Sequence, residues 1–587
     1  MRSFFLHKAA IAVYILLILS LFSLQVIRGA KYRELSNKNC IRLIPQGGSR
    51  GKILDANGMV LVGNNVSYDV ICLPQDRKKD KPFVPLANLL KCDPDQLQKN
   101  FRQNYSAPSI PVVIAQDIGL KKAAELEEKR FDLDNVIVQT NTSRFYPFGS
   151  LGCHIFGYIS EIDRWRLTKL EDYGYKTKDM VGFGGVEEKY DYYLRQEDGG
   201  LSVEVDHQGR FVRTLGYKPG EQGRDLQLTV DYRVQRIAED SLDGKGCALV
   251  MDANTGAVLA MVSKPGFQPS AFVKRPRPQS VGEYFTSSSA PLLNRAISCT
   301  YPPGSVFKML VACAALETGK IDADTVFECK GGLVIGRRLF QCWDTHDRQD
   351  IISAIAHSCD VFFYRTGLAV GGQTIHDYAV RFGFSRPSGI ELPYEAGGFV
   401  PNPVWKRLSQ FKQWYDGDTA NLSIGQGELL VSPLQVCRMT AVFANGGRLV
   451  TPFIIKAIDT MDVSRQHMRA VDLHLKERTL RQIRKGMRKA VESGTCSVLA
   501  SLPVEVAGKT GTAQISGKEA DNHGWFTGFF PYAKPRYVIS VFLEKGGHGT
   551  SAAAVARDVI EKMCEDGLVE LPVKTTALPK EGQTKVQ

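Results

Sequence analysis

The chain begins with a long apolar run. From Ala9 to Ile27 it carries no charged residue and is mostly apolar. A run of this length can span a bilayer, which needs roughly 17–25 residues in a helix. The apolar part of a cleaved signal peptide is shorter, about 7–15 residues, and ends at a site of small residues. Because this run ends at Gln25-Val26-Ile27-Arg28, the pattern favours an uncleaved transmembrane anchor at 9–27, after a cytoplasmic stub at 1–8.

A first domain is predicted at 28–224, where short strand-like runs alternate with turns. Asn57-Gly58 between two apolar runs is typical of a hairpin. Arg50 and Glu187 also fall in this domain, and a pair between them would lock it, although surface ion pairs contribute little stability. The segment Pro219–Gly223 disrupts both helix and strand patterns, and it predicts the end of the domain.

A second domain is predicted at 225–568. It opens with the strand-like alternation of Leu226, Leu228 and Val230, followed by a helical spacing from Tyr232 to Leu242. Near its end, a β-rich apolar run precedes a predicted helix at 552–565. The remaining residues, 569–587, are polar and predict a flexible tail.

Composition places the chain among globular proteins and leaves several partners open. It has 587 residues, 43% hydrophobic and 23% charged, which is enough apolar material for more than one core. The formal net charge of +12 suits nucleic acid, an anionic membrane surface or an acidic polymer. Nucleic acid is the least favoured of these, because the chain has no run of five Lys/Arg residues and no zinc-finger spacing.

A serine and a lysine three residues apart are the first candidate catalytic pair. Ser305 and Lys308 follow Pro302-Pro303-Gly304 and open an apolar run, a pattern that predicts a helix start with both side chains on one face. A serine hydroxyl needs a base, and a lysine can serve once burial or a neighbouring cation lowers its pKa. Ser409 and Lys412 share the spacing without the Pro-Gly entry, so spacing alone is weak evidence.

Two further motifs follow in order. Ser358-Cys359-Asp360 lies between apolar helical runs, where Ser358 can relay a proton, although a break between helices explains the triplet equally well. Lys509-Thr510-Gly511-Thr512 follows an alternating run and predicts a strand with a positive charge, hydroxyls for a carboxylate, and a glycine where ligand approaches closely. Together and in this order, the three motifs predict a serine acyl-transfer site with a lysine base.

With these motifs, the chain resembles the class B penicillin-binding proteins, membrane-anchored D,D-transpeptidases that cross-link peptidoglycan. The resemblance covers most of the chain, and its further matches are Arg50–Gly58, Arg144–Pro147, Gly185–Glu187, Tyr301–Ser305 and Ser423–Gly427. It implies an α+β fold with three parts. These are a single N-terminal transmembrane helix, an elongated mixed pedestal domain, and a penicillin-binding transpeptidase domain whose antiparallel sheet is flanked by helices.

Four features resemble the branch of this family that serves rod-shape elongation: Asp360 in place of a common Asn, Gly511–Gln514, His523–Phe526 and Glu544–Gly549. The branch implies a single-pass protein of the bacterial inner (cytoplasmic) membrane with its catalytic domain outside the cytoplasm. Positive charges flank the anchor on both sides, so the charge pattern does not itself give this orientation. The implied partners are peptidoglycan stem peptides, β-lactams and a membrane glycosyltransferase of the elongation complex.

The resemblance also implies a role for each motif residue. Ser305 would attack the penultimate D-Ala carbonyl of a stem peptide, Lys308 would take its proton, and Ser358 would pass a proton to the departing D-Ala. Lys509 would hold the substrate, and backbone N–H groups of Ser305 and Thr512 would form the oxyanion hole. Substrate contacts are implied for Asp360, Thr510, Gly511 and Thr512, the last binding a carboxylate.

Thirteen cysteines are scattered along the chain, and Cys329 and Cys342 lie with His346 shortly before the middle motif. His357 and Cys359 are nearby. The first three residues with an unspecified fourth ligand fit a structural zinc site, and relatives in the elongation branch can carry a metal here. A Cys329–Cys342 disulfide is a second interpretation, and two unpaired thiols are a third. The disulfide and the unpaired thiols are the favoured interpretations, and zinc remains an alternative. The acyl-transfer chemistry itself requires no cofactor.

Two other functions fit the same residues. One is hydrolysis by the same fold, as a D,D-carboxypeptidase or a β-lactamase, and the anchor and large pedestal argue against a secreted β-lactamase. The other is a pedestal that mainly activates a partner glycosyltransferase. Intact Ser305, Lys308, Ser358 and Lys509 argue against that as the only role.

Overall fold

The computed structural model describes the chain except for residues 1, 30, 33–40, 47, 73, 75–82, 106–111, 130–132, 134–135, 198, 206–210, 275–276, 516–520 and 572–587. Most of the predicted tail, 569–587, therefore lies outside the described residues. The fold is α+β, as predicted, with helices flanking the main sheet. The predicted domain bounds stay predictions, and "pedestal" and "catalytic domain" below denote residues 28–224 and 225–568.

The N-terminal apolar run forms a helix, α1 (Arg2–Phe22), which continues as a π-helical turn at Ser23–Ile27. Within the described residues, its segment Ala10–Ile27 is the one stretch of helix long and apolar enough to cross a membrane, and none of it is buried in the protein. Apolar side chains all round a helix need a nonaqueous environment, which a bilayer supplies. The helix therefore suits a single-pass anchor.

The described part of the pedestal contains nine strands and seven short α-helices. Its strands are β1 (Ile41–Gln46), β2 (Ile53–Leu54), β3 (Val60–Cys72), β4 (Val112–Ala115), β5 (Val136–Phe145), β6 (Tyr158–Glu161), β7 (Met180–Phe183), β8 (Gly199–Val205) and β9 (Phe211–Lys218). Its helices are α2 (Val84–Leu90), α3 (Pro94–Asn104), α4 (Leu120–Glu128), α5 (Cys153–Phe156), α6 (Arg164–Leu170), α7 (Gly185–Lys189) and α8 (Asp191–Leu194).

A buried ion network lies in the pedestal. The Glu187 carboxylate contacts Arg50 at 2.7 Å and Arg144 at 2.7 Å, and its side chain is 0% exposed. Arg50 also contacts Asp191 at 2.6 Å. The predicted Arg50–Glu187 pair is thus confirmed, but it was wrong to expect a weak surface pair. Removing one partner of a buried pair leaves an uncompensated charge, so this network fixes how the pedestal segments meet.

One sheet joins the pedestal to the catalytic domain. Strand β10 (Leu226–Leu228) pairs in parallel with β2 of the pedestal and antiparallel with β18 (Ile455–Ile458) of the catalytic domain. The outermost strand on the catalytic side is β19 (Met461–Asp462), and the strand order is β19-β18-β10-β2-β3-β4. Strand β5 also pairs with β3. Backbone hydrogen bonds therefore cross the predicted boundary, and the two domains meet through a continuous sheet.

The catalytic domain is built on a five-stranded antiparallel sheet, in the order β12-β11-β23-β22-β21. The strands are β11 (Gly246–Asp252), β12 (Val258–Lys264), β21 (Ala507–Ala513), β22 (His523–Phe530) and β23 (Tyr537–Leu543). Short strands complete the domain: β13 (Phe327–Cys329), β14 (Gly332–Ile335), β15 (Arg338–Gln341), β16 (Asp347–Gln349), β17 (Arg448–Val450) and β20 (Ala470–Asp472). Its edge strand, β21, carries the third motif.

The helices of the catalytic domain pack against this sheet or surround those that do. They are α9 (Tyr232–Ser241), α10 (Ser270–Val273), α11 (Ser280–Thr286), α12 (Lys308–Thr318), α13 (Ile351–His357), α14 (Asp360–Val370), α15 (Gly372–Arg381), α16 (Pro403–Gln410), α17 (Asp416–Ser423), α18 (Pro433–Ala444), α19 (Ser464–His467), α20 (Glu477–Ser493) and α21 (Gly549–Glu565). Every residue of α12 from Lys308 to Leu316 is buried, as expected of a helix that is apolar all round. The first motif thus lies at the start of the central core helix.

Candidate active site

Ser305 lies on a tight turn that precedes the central helix. The sequence predicted a helix starting at Val306, whereas the chain forms a 3₁₀ turn at Gly304–Phe307 before α12 begins at Lys308. Gly304 has φ +57°, and a Cβ there would lie 2.7 Å from the Thr512 carbonyl oxygen. A glycine is therefore required before the serine, because it lets the turn press against β21.

Lys308 is directed at the middle motif. Its Nζ donates to the Ser358 carbonyl oxygen at 2.8 Å, to the Ser358 Oγ at 3.2 Å, and to the Asp360 Oδ1 at 2.7 Å. A lysine ammonium has three N–H groups, and these three acceptors match them. The Lys308 side chain is 0% exposed and that of Asp360 is 15% exposed, so this ion pair lies almost entirely out of water.

The middle motif is a junction between two helices. Ser358 ends α13 with φ +58°, and its neighbour Cys359 begins α14 by accepting the Phe362 N–H on its side chain. A non-glycine residue in the left-handed region is uncommon and is found at helix ends and functional sites. This geometry turns both the carbonyl and the hydroxyl of Ser358 toward Lys308.

The third motif lies on β21, the edge strand of the main sheet, next to the turn. Strand β21 begins at Ala507, later than the predicted start at Val504, and Lys509 and Gly511 pair with Thr527 and Trp525 of β22. A Cβ on Gly511 would lie 3.0 Å from the Pro303 oxygen, so this glycine permits close contact with the turn that carries Ser305.

The hydroxyls of the third motif are held by neighbouring segments. The Thr510 Oγ1 donates to the Thr495 Oγ1 at 2.7 Å, and the Thr512 Oγ1 accepts from the Gly549 N–H at 3.1 Å. Gly549 is the first residue of α21, so the start of a 17-residue helix lies beside Thr512. The positive end of a helix dipole favours an anion at this place.

Burial controls the charges of the site. Burial, and next the positive charge of Lys308, lower the pKa of Lys509 from an ordinary 10.5 to about 7. The Lys509 Nζ donates to the Thr510 carbonyl oxygen at 2.9 Å. Burial also raises the pKa of Asp360, although the charge of Lys308 opposes this shift. Two buried amines repel each other when both are charged, which favours a neutral amine on one of them.

The structure thus brings the sequence-predicted residues together around one cleft. Lys308, Ser358 and Asp360 are bonded to each other, and the turn with Ser305 contacts β21 with Lys509–Thr512. Among the described residues, no hydrogen bond reaches the Ser305 Oγ, because the Lys308 amine is directed at Ser358 and Asp360 instead.

Sequence reasoning gave no role to two positions that shape the cleft. Thr495 holds Thr510, and no local pattern marks it. Gly425 accepts the Gly304 N–H at 2.9 Å, and a Cβ on it would lie 2.1 Å from the Gly304 oxygen. Gly425 belongs to the matched segment Ser423–Gly427, so its position was visible in the sequence but its contact was not.

Comparison with known proteins agrees with this geometry. A family model described as "Penicillin binding protein transpeptidase domain" matches residues 246–561, and one described as "Penicillin-binding Protein dimerisation domain" matches residues 45–228. The chain belongs to the penicillin-binding protein transpeptidase family. It is 30% identical over 563 residues to the peptidoglycan D,D-transpeptidase MrdA of Acinetobacter baumannii, which covers 92% of this chain and 84% of that protein.

Solved structures place the chain in the elongation branch of the penicillin-binding proteins. The penicillin-binding protein PBP2 of Helicobacter pylori in complex with MreC has a TM-score of 0.80 and 27% identity, over 90% of this chain and 99% of that one. A structure described as the coordination of polymerization and crosslinking by a peptidoglycan synthase complex has a TM-score of 0.74 and 29% identity, over 96% and 98%. The predicted resemblance is confirmed.

A second cluster lies behind the middle motif of this penicillin-binding protein. Donor atoms of Cys329, Cys342, His346 and Cys359 all lie within 4.8 Å of one another. The His346 Nδ1 is 3.7 Å from the Cys329 Sγ and 3.5 Å from the Cys342 Sγ. Three thiols and one imidazole are a donor set that suits tetrahedral zinc. Sequence reasoning placed Cys359 near this cluster but left it out of the predicted ligand set.

Contacts within this cluster shift the pKa values of its members. Burial alone would lower the pKa of His346, but hydrogen bonds with Cys342 and Cys329 raise it to about 9. A hydrogen bond from Cys359 lowers the pKa of Cys342, which favours a thiolate there. Cys329, Cys342 and Cys359 are free thiols in the structure, so the Cys329–Cys342 disulfide, one of the interpretations that the sequence left open, is not formed there. The Cys342 Sγ also accepts the Asp360 N–H at 3.2 Å, which ties the cluster to the middle motif.

Proposed function

We propose that this penicillin-binding protein cross-links peptidoglycan stem peptides during cell elongation, as a D,D-transpeptidase that forms an acyl-enzyme on Ser305. The observation that carries the proposal is the meeting of three motifs in one cleft, where Lys308 bonds to both Ser358 and Asp360. Relatives and neighbours are described as a peptidoglycan D,D-transpeptidase and as part of a peptidoglycan synthase complex. They support the substrate class and the setting.

The first chemical step forms the acyl-enzyme. As the Ser305 Oγ bonds to the penultimate D-Ala carbonyl carbon, the neutral amine of Lys308 takes the hydroxyl proton. The carbon–nitrogen bond to the last D-Ala then breaks, and Ser358 passes a proton to the departing nitrogen. Ser358 lies 3.2 Å from the Lys308 Nζ, so one short hydrogen-bonded path joins the base to the leaving group.

The site also orients its substrate and stabilises the developing charge. Lys509 and the hydroxyls of Thr510 and Thr512 line β21, where they would hold the carboxylate of the donor stem. Backbone N–H groups of Ser305 and Thr512 would receive the oxyanion, since the turn and the strand are in contact. The amine of a second stem then attacks the ester carbonyl, gives up its proton through Ser358, and frees Ser305.

The proposed location is the inner membrane, with the catalytic domain outside the cytoplasm. Helix α1 supplies the anchor, and the substrate is a polymer of the cell envelope. A membrane glycosyltransferase and an MreC-like protein are the proposed partners, because related structures are described as a synthase complex and as a PBP2–MreC complex.

We further propose that Cys329, Cys342, His346 and Cys359 hold a structural zinc ion. Zinc would supply no chemistry to acyl transfer; it would fix the segments that carry the middle motif. We expect one equivalent of zinc in protein purified under reducing conditions. A Cys359→Ser variant should lose the metal. Cys92→Ser is the control and should keep it, because Cys92 is exposed in the pedestal and distant in sequence from the cluster. Zinc-free wild-type protein would refute this proposal.

Labelled penicillin tests the catalytic proposal. We expect a stable adduct on the peptide that contains Ser305, located by mass spectrometry, and no adduct in a Ser305→Ala variant. Ser409→Ala is the matched control, because it removes the serine of the second Ser-x-x-Lys sequence and should leave labelling unchanged. Rapid loss of the label with hydrolysed penicillin would favour a β-lactamase. Full cross-linking in cells by the Ser305→Ala variant would favour a purely activating role.

A further inference from the structure

A cavity of about 190 Å³ lies where the pedestal meets the catalytic domain. Tyr158 and Phe183 line it from the pedestal, and Phe267, Leu292 and Tyr394 line it from the catalytic domain. No described side chain of the three catalytic motifs lines it, so this space is separate from the cleft around Ser305.

The lining of this interdomain cavity is aromatic and uncharged. The Tyr158 and Phe183 rings are stacked, with centroids 5.5 Å apart, and the described lining includes no Asp, Glu, Lys or Arg. Its two titratable groups apart from the tyrosines are neutral at ordinary pH. Burial lowers the pKa of His154 to about 4 and raises that of Cys153 to about 12. A charged ligand would therefore lose its hydration here without a counter-charge.

The two titratable groups of the lining other than the tyrosines are already bonded within the protein. The His154 Nε2 is 2.8 Å from the Pro291 carbonyl oxygen, and the Cys153 Sγ accepts the Phe267 N–H at 3.5 Å. An apolar cavity of about 150 Å³ stays dry and binds benzene in a well-studied case. The present space, about 190 Å³, is partly open to solvent beside Tyr394 rather than enclosed, and it has room for one aromatic ring with a small substituent.

One wall of the cavity is a loop that a single hydroxyl attaches to the pedestal. Tyr394 lies in this loop with φ +63°, its Oη donates to the Glu188 Oε1 at 2.7 Å, and Arg166 donates to the same Oη at 3.3 Å. Tyr394 is 66% exposed, so these bonds compete with water.

From this cavity we infer a second ligand site, between the pedestal and the catalytic domain, that binds an uncharged molecule the size of one aromatic ring. The site goes beyond the proposed transpeptidase function and does not depend on it. A bound ring would touch both domains and would favour the arrangement in which they meet.

Photolabelling of the full-length protein in detergent tests the site. The probe is 3-phenyl-3H-diazirine, a single ring that light converts into a carbene that inserts into adjacent bonds. We expect adducts on peptides from both walls, 153–158 and 292–298, which excess toluene reduces. Adducts on α1, which the probe reaches through the micelle, are the internal standard. Peptide labelling confined to α1 would overturn the inference.

Variants that fill the cavity make the test specific. Leu292→Trp and Ser298→Phe each place a ring in the space, and either should abolish adducts on both walls while α1 stays labelled. Leu408→Trp is the control, because Leu408 is exposed on α16 and does not line the cavity. Penicillin labelling of Ser305 verifies that each variant is folded. A folded, filled variant that retains wall adducts would overturn the inference.

Discussion

The buried Lys509 gives the sharpest quantitative prediction. Its pKa is about 7 in the folded protein, because burial and the charge of Lys308 oppose protonation, and 10.5 when exposed. Between these values the unfolded state binds one proton more than the folded state. The cost of burying this amine is therefore fully present below pH 7, and it is relieved as the pH rises toward 10.5.

The size of this effect follows from the two pKa values. At pH 7 the folded protein is about half protonated at Lys509, and at pH 9 it is almost fully deprotonated there. The unfolded state keeps its proton throughout this range. A difference of one bound proton changes the free energy of unfolding by about 1.4 kcal/mol per pH unit. Between pH 7 and pH 9, the free energy of unfolding of the wild type should therefore rise by about 2 kcal/mol relative to that of a Lys509→Met variant.

Urea unfolding of the full-length protein, followed by tryptophan fluorescence, measures this difference. The free energy of unfolding is compared between wild type and Lys509→Met at pH 7 and pH 9, so that other titrating groups cancel. Lys412→Met is the control, because Lys412 is exposed and its replacement should give the same difference at both pH values. A wild-type minus Lys509→Met difference that does not change with pH would refute the lowered pKa.

Three further predictions concern the pedestal and the cleft. Glu187→Gln should destabilise the pedestal by about 3–5 kcal/mol in urea unfolding, because it leaves the buried guanidinium groups without their carboxylate. The half-buried Glu188 is the control, and Glu188→Gln should cost only about 1 kcal/mol. Equal losses of stability in the two variants would contradict this reasoning. Asp360→Asn removes the carboxylate that accepts from Lys308 at 2.7 Å, so the rate of penicillin acylation should fall; an unchanged rate would argue against a role for this ion pair. Gly511→Ala should slow acylation, since its Cβ would press on the nucleophile turn, while Gly282→Ala, with open space around it, should leave the acylation rate unchanged.

Local patterns in the sequence predicted most of the elements but not where every one begins. The apolar run at the N-terminus became α1, and the Pro-Gly entry before Ser305 predicted a helix start. The serine itself lies on a 3₁₀ turn, because Gly304 in the left-handed region tightens the backbone against β21. Such tightening depends on a strand some 200 residues later in the chain, and a local pattern carries no information about it.

The site was predictable to the extent that its residues occur in short motifs. The three motifs placed Lys308 and Asp360 in one site, although neither spacing nor periodicity indicated that they form a nearly buried pair at 2.7 Å. The burial of Glu187 in the pedestal was equally unpredictable, since a charged residue is expected at the surface until a partner is known. Burial of these charges depends on segments that are distant in the sequence, and only the fold brings them together.

The contacts of Lys308 indicate what must move before the enzyme can react. Its three N–H groups are matched by the carbonyl and hydroxyl of Ser358 and the carboxylate of Asp360, at 2.8, 3.2 and 2.7 Å. In the proposed mechanism Lys308 is the base for Ser305, and a base needs a free lone pair, so Lys308 must give up at least one of these three acceptors. The longest of the three bonds is the one to the Ser358 hydroxyl, and it is also the bond on the proton path to the leaving group. In the proposed mechanism this longest bond is therefore the first that Lys308 gives up when its lone pair turns toward Ser305, while the contacts at 2.8 and 2.7 Å hold the side chain in place.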